Sequence, residues 1–386
     1  MGALTVYLSS SSNKNQNLQL PQLQQQMPRM VRPYVKKNDD HARRYVKEIT
    51  IQPYNYTINN TIPPTCDVTH DVPAVVFSSG LIGNVFHELN EIIIPLFITC
   101  RHFHSRLHFV VSDFNYLWVT KFRQVLSHLS DYEIINASED TRVHCFPGIV
   151  TGLHFHNDNL ICKNSELPVN CSMLDFRQFL REAFHLKIKN IAQLNKNIST
   201  SSNQDQKKKR KPVLIILSRF HSRRFLNEDE MVKVASELGF RVVVAKPDLT
   251  SNLDKFSRVV NRCDVLVGAH GAGLTNEVFL PEGAVLVQVV PLGVRWASSH
   301  YYGIPTGEMG VQYLEYQISP QESSLMDVYG PNHPVIIDPD SIHREGYNLG
   351  RPIYIDGQDL RLDLSKFRDT LVQALKLLDA VSLHPR

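Results

Sequence analysis

The residues of this 386-residue chain that could do chemistry fall into two sets. The first centres on the run GAHGAGLTN, Gly268 to Asn276. Gly271 and Gly273 let backbone approach a ligand closely, and a helix beginning near Leu274 would aim free N–H groups at a phosphate. Ser218, Arg219, Ser222, Arg223 and Arg224 stand after an apolar run further upstream; Lys246, Asp248, Gly293, Arg295 and Trp296 stand after two others. A guanidinium fork matches phosphate oxygens two at a time, so this combination describes a diphosphate cradle. Its expected members are Asn84, Ser218, Arg219, Arg223, Arg224, Gly268, His270, Gly271, Ala272, Gly273 and Asn276. The second set is His87 and Glu91, four residues apart and so on one face of a helix that Asn84 is placed to cap. A carboxylate that orients an imidazole and raises its basicity makes a general base for a sugar hydroxyl, with Asp113 as the rival base.

Other chemistries are poorly served. No G-x-G-x-x-G follows the strand before Ser218, which speaks against a dinucleotide oxidoreductase, and no G-x-x-x-x-G-K-[ST] loop is present. A nucleotide diphosphate-sugar remains as the ligand. His102, His104 and His108, or His154 and His156, alternate as metal ligands on a strand would, but lack a third carboxylate or thiolate. No fixed metal site or cofactor is expected, and assistance to the diphosphate by transient divalent ions stays open.

The elements that must position these residues follow from apolar patterning. Ala74 to Ser79 reads as a strand, Gly80 to Gly83 as a turn, and a helix starts at Asn84. Leu107 to Val111 is a strand, Leu117 to Leu129 a helix, Val143 to Phe146 and Gly148 to Leu153 strands, and Met173 to Ile188 a closing helix. Further on, strands at Val213 to Leu217, Arg241 to Ala245, Asp264 to Gly268 and Ala284 to Val290 alternate with helices at Asn227 to Leu238 and Ser251 to Cys263. Asn227 and Glu230 have capping-box spacing. Continuous apolar strands separated by single helices predict a parallel sheet covered on both faces, whose ligands bind beyond the carboxyl ends of the strands. Asp363 to Leu378 carries a helical stripe of Leu364, Phe367, Leu371, Ala374 and Leu378.

Five domains of sequence result: a disordered low-complexity lead-in over 1–29, a first α/β domain over 30–194, a basic linker over 195–211, a nucleotide-binding domain over 212–330, and a C-terminal segment over 331–386 that returns to the first domain. The net charge of +3 argues against nucleic acid as a partner. Cys66, Cys100, Cys145, Cys162, Cys171 and Cys263 contain no C-x-x-C pair and are too few for a disulfide scaffold. N-glycosylation sequons stand at Asn55, Asn59, Asn136, Asn170 and Asn197, against roughly three expected by chance, which leans towards a lumenal protein. No apolar run reaches the ~20 residues that span a bilayer, and Met1 to Ser9 is too short for a signal core.

The ordered segments HDVPAVVFSSGLIGNVFHELNEIIIPLF (His70 to Phe97), LSDYEII (Leu129 to Ile135), HCFPGIVTGL (His144 to Leu153), DFRQFLREAF (Asp175 to Phe184), CDVLVGAHGAGLTNEVFLPEGAVLVQVVPLG (Cys263 to Gly293) and ESSL (Glu322 to Leu325) resemble plant members of glycosyltransferase family 61, the group containing xylan xylosyl- and arabinosyltransferases. The resemblance implies a GT-B fold of two facing Rossmann-like domains with a C-terminal helix packing back across their junction. It also implies an inverting enzyme that moves a pentose, xylose before arabinose, from a UDP-sugar to a xylan-type cell-wall polysaccharide. The family's home is the Golgi lumen, usually through one N-terminal membrane helix that the residues before Met30 do not supply. The family commonly has Asp where this chain has Glu91. Alternative readings are an inactive or truncated UDP-sugar-binding homologue, and N-acetylglucosaminyl transfer to a glycoprotein.

Overall fold

The computed structural model describes residues 4–9, 28–36, 39–54, 63–156, 162, 171–196 and 210–383. They divide into two compact units, Met1–His156 and Asn157–Arg386. Among the described residues no helix is long and apolar enough to cross a membrane.

The first unit opens with a three-stranded sheet of β1 (Thr5–Ser9), β2 (Arg29–Val31) and β3 (Ile49–Tyr54), in the order β1-β3-β2. β1 lies within the stretch expected to be a disordered lead-in. Its β-branched and aromatic residues pair in parallel with β3, and Val6 joins Ile49, Ala74, Val76 and Val110 in one apolar cluster. The Gln-rich segment from Gln16 to Gln26 lies outside the described residues. β4 (Val68–Thr69) pairs with β8 (His144–Cys145), and the Cys66–Cys145 disulfide joins the same two segments. A second disulfide, in the second unit, links Cys162 and Cys171. The main sheet contains β5 (Ala74–Phe77), β6 (His108–Val111), β7 (Ile135–Asn136) and β9 (Ile149–Thr151), all parallel, in the order β7-β6-β5-β9. The order reverses at β5, so the loop leaving its carboxyl end sits at a topological switch, where open α/β sheets form their ligand crevices.

The second unit is built on a five-stranded parallel sheet of β10 (Val213–Leu217), β11 (Arg241–Ala245), β12 (Val265–Ala269), β13 (Val285–Val290) and β14 (Gln312–Gln317). Its order is β11-β10-β12-β13-β14, which puts the switch between β10 and β12. β14 escapes a reading by apolar runs because QYLEYQ is a half-buried edge strand. Asn227 begins the helix Glu228–Glu237 without capping it: its amide binds Leu362 through both N–H and C=O, at 2.9 and 3.1 Å.

The boundary expected at 194/195 moves to 156/157. Helices Met173–Ala183 and Ile191–Lys196 belong to the second unit, where the buried Arg177 guanidinium donates to Leu280 O at 2.6 Å and to Met309 O. Arg210, the start of the described chain after the expected linker, pairs with the buried Asp264 carboxylate instead of lying in solvent. The terminal helix Leu364–Leu383 buries Phe367, Leu371 and Ala374 against helix Glu228–Glu237, β13, β14 and helix Ile191–Lys196. The stripe expected to return across a domain junction is thus taken up inside the second unit.

Candidate functional site

In the first unit, β5 ends at Phe77 and leads into Ser78 and Ser79, and Gly80 (φ +55°) turns the chain towards the next helix. A Cβ on Gly80 would collide with the Tyr34 ring, so the glycine seats that aromatic. Asn84 accepts from Phe86 N at 3.0 Å as the N-cap of helix Val85–Glu88, its expected place. A π-helical turn, Leu89–Ile93, then leads into helix Ile94–Cys100. π-turns inside helices recur at functional sites, and this one carries Glu91.

Glu91 is 1% exposed and collects three donors: His87 Nδ1 at 2.7 Å and Lys36 Nζ at 2.7 Å, both on Oε1, and the Tyr34 hydroxyl on Oε2. Burial by itself would raise this carboxyl; the hydrogen bond and charge of His87, with the bonds from Lys36 and Tyr34, hold it down at about 2. An ionised Glu91 requires Nδ1 to carry the proton, so the neutral ring presents its lone pair at Nε2. The His87 side chain keeps 32% exposure. The dyad expected from the spacing is formed. Tyr34 and Lys36 were not anticipated, because they lie in an irregular strap that neither periodicity nor a motif marks.

Asp113, the rival base, sits in a hydrogen-bonded cluster beyond the end of β5. Its Oδ2 accepts from Ser78 Oγ at 2.7 Å and Lys47 N at 3.0 Å, and its carbonyl accepts from Ser79 Oγ at 2.7 Å.

In the second unit, the loops leaving β10 and β12 flank the switch point. Arg219 donates to Ser222 O at 2.8 Å, and Arg223 donates to His270 O at 2.7 Å. Both guanidiniums meet at Gly271 (φ +146°), where a Cβ would lie 2.9 Å from Arg219 Nη1 and 3.0 Å from Arg223 Nη1. The glycine therefore clears room for arginines, beyond the ligand approach expected of it. Arg223 is itself left-handed (φ +55°) and donates its amide to Gln358 O at 2.6 Å. Burial depresses both guanidiniums, Arg223 to about 10 with Arg219 adding repulsion, yet both stay cationic at neutral pH. Among the described residues neither forms an ion pair with a carboxylate, and a buried cation beside a half-buried one with no anion is a ready anion site.

His270 is buried at the rim of this pair, its Nδ1 2.9 Å from Gln288 Nε2. Burial, then Arg223 and Arg219, push it down to about 3, so it works as a neutral imidazole. Tyr302 donates to Gly271 O at 2.8 Å and holds the turn. The segment after Gly271 is a 3₁₀ run, Ala272–Phe279, rather than the expected helix. Leu274 N returns to Gly271 O at 2.9 Å and Asn276 Nδ2 to Gly273 O at 2.9 Å, which tightens the turn. Ala272 and Gly273 remain half-exposed beside the arginines, whereas Gly268 serves packing, since a Cβ there would meet Leu274 and Leu217. Ser218 is half-buried and its amide continues the sheet to Ala245 O. Arg224, expected in the cradle, is turned to Asp359, with Nε and Nη2 at 3.0 and 2.5 Å from Oδ2.

The strap 358–362 was also invisible to sequence reading. Gln358 O, Leu360 and Leu362 run beside residues 223–227 and pin the loop by backbone hydrogen bonds. Of the sequons, Asn55, Asn59, Asn170 and Asn197 lie outside the described residues. Asn136 is half-buried, its Oδ1 accepting from Ser138 N at 3.0 Å. Among the described residues no group of three or more His, Cys, Asp and Glu could hold a metal ion.

Comparison with known proteins places these features in context. The family model Glycosyltransferase 61 matches residues 16–287. The chain is 38% identical to the alpha-1,3-arabinosyltransferase XAT3 of Oryza sativa subsp. japonica, over 90% of this chain and 58% of that protein. It is 35% identical to the xylan glycosyltransferase MUCI21 of Arabidopsis thaliana, over 89% and 70%. To the beta-1,2-xylosyltransferase XYXT1 of Oryza sativa subsp. japonica it is 37% identical, over 90% and 72%. The chain thus spans little more than half of the first of these relatives.

Proposed function

The chain belongs to the glycosyltransferase 61 family, and from that premise we propose that it moves a pentose from a UDP-sugar to a hydroxyl of a xylan-type polysaccharide, with xylose the first donor and arabinose the second. The observation that carries this reading is the convergence of Arg219 and Arg223 on Gly271 with, among the described residues, no carboxylate ion-paired to either. A departing diphosphate is the anion that such a pair stabilises as charge develops on it. The second unit holds the donor through Arg219, Arg223, the Gly271–Gly273 backbone and neutral His270. The first unit supplies the base: His87 Nε2 takes the proton from the acceptor hydroxyl, whose oxygen attacks the anomeric carbon as the bond to UDP breaks. A single displacement of this kind inverts the anomeric centre. The two parallel-sheet units support a GT-B architecture, and the two disulfides support an oxidising compartment such as the Golgi lumen.

The test is UDP release by the purified chain with xylo-oligosaccharides and, in parallel, UDP-xylose, UDP-arabinofuranose and UDP-N-acetylglucosamine. Turnover with UDP-xylose and a β-linked product by NMR is expected. UDP binding without turnover of any donor overturns the enzyme reading in favour of a binding homologue, and turnover with UDP-N-acetylglucosamine alone overturns the pentose.

A further inference from the structure

The strap ahead of β3 sends two side chains into the base dyad. Arg32 fixes this strap by donating to Arg43 O and Val46 O at 3.0 and 2.6 Å and by pairing with Glu48 at 3.1 Å. Ser78 N reaches back to Pro33 O at 2.9 Å, and the Tyr34 ring fills the space left by Gly80. Lys36 is thereby delivered to Glu91, where its ammonium and the His87 imidazole share one oxygen, Oε1, each at 2.7 Å. The two nitrogens are near neighbours across that oxygen, close enough for a fixed ammonium to oppose a proton arriving on the ring.

Resting on the His87 reading above, we propose that Lys36 is a positioning residue that tunes the base: by holding a positive charge on the oxygen that orients His87, it disfavours the imidazolium relative to a Glu91–His87 pair without the lysine. A Glu91 paired with His87 alone would give its whole negative charge to the imidazolium and stabilise it. Lys36 takes a share of that charge. Tyr34 supports the arrangement differently, as a neutral donor to Oε2 that keeps the carboxylate from rotating. Among the described residues, the charged and titratable groups acting on the dyad include Tyr34 and Lys36 from the strap, Asp39 acting on Tyr34 just ahead of helix Asp40–Arg43, and His87 and Glu91 themselves.

The experiment uses the full chain with Lys36→Met, Lys36→Arg and His87→Gln. Histidine Cε1–Hε1 NMR, with the His87 signal assigned by its loss in His87→Gln, follows the ring through pH 4 to 9. In Lys36→Met the midpoint should move upward by about one pH unit, and Lys36→Arg should return it close to wild type. The acid limb of the pH profile for UDP release from UDP-xylose should move in the same direction. An unmoved midpoint in a folded Lys36→Met, or failure of Lys36→Arg to restore it, overturns the proposal. If Lys36→Met does not fold, a Lys36→Arg midpoint far from wild type overturns it as well, because the retained charge then has no control. The base reading fails separately: a His87→Gln protein that turns over at the wild-type rate removes His87 from the chemistry whatever the NMR midpoint does.

Discussion

The buried Arg223 and half-buried Arg219 guanidiniums repel each other where they meet at Gly271. An Ala there would need an L residue at φ +146° with its Cβ against two guanidiniums. Gly271→Ala should lose about 1–3 kcal/mol of stability and at least tenfold in UDP affinity, read by thermal melts and calorimetric titration; unchanged affinity would place the diphosphate elsewhere. Arg219→Ala should weaken UDP binding by ten- to a hundredfold, the worth of a hydrogen bond to a charged group, and Lys in its place should recover little because the fork is lost. Glu91 gives a pH signature. Its folded value of about 2 lies below the ordinary 4.5, so its contribution to stability is complete above pH 4.5 and lost as pH falls through 2. That contribution is on the order of 3 kcal/mol. Urea unfolding of wild type and Glu91→Gln should therefore differ by that order at pH 7 and converge in acid; a gap that persists to pH 2 contradicts the assignment.

At the scale of elements, the pieces legible in sequence were those with a period. Val213–Leu217 and Val285–Val290 are apolar because both faces of their sheet are covered, Arg241–Ala245 is the half-buried edge of the same sheet, and the stripe Phe367, Leu371, Ala374 and Leu378 marks the buried face of its helix. With those strands known, the loops at their carboxyl ends were legible too, and so were Arg219, Arg223 and Gly271. Three things left no signal. The strap 358–362 finds its partners at residues far away in sequence, among them Arg224 and Asn227 about 135 residues upstream, and Tyr34 and Lys36 reach Glu91 across more than fifty residues. Asn227 looks like a cap because a cap and a bridge to Leu362 use the same amide. Asn227→Ala, which strands Leu362 N–H and C=O together, should cost about 2–4 kcal/mol in denaturant unfolding and lower UDP affinity with it. A mere capping loss would leave affinity alone.

For the molecule as a whole, the Cys66–Cys145 bond ties residues 79 apart and closes the largest covalent loop among the described disulfides. In the chain-entropy picture a loop of that size is worth roughly 4.5 kcal/mol. Cys66→Ser with Cys145→Ser should lower the melting temperature by about 10 °C in non-reducing buffer, measured by differential scanning fluorimetry, and added reductant should lower wild type similarly. No change would mean the bond carries no load. The strap 358–362 bears on synthesis. Arg223 holds its left-handed backbone against Gln358 O, and residues 224–227 are pinned by Leu360 and Leu362, about 135 residues further along the chain. A nascent chain still on the ribosome has β10, β12 and all the residues of its anion pocket exposed long before it has anything to clamp them. The arginine pair is thus left without its clamp until residues 358–362 have been made, and a chain released short of Leu362 leaves the ribosome with its arginines unaimed.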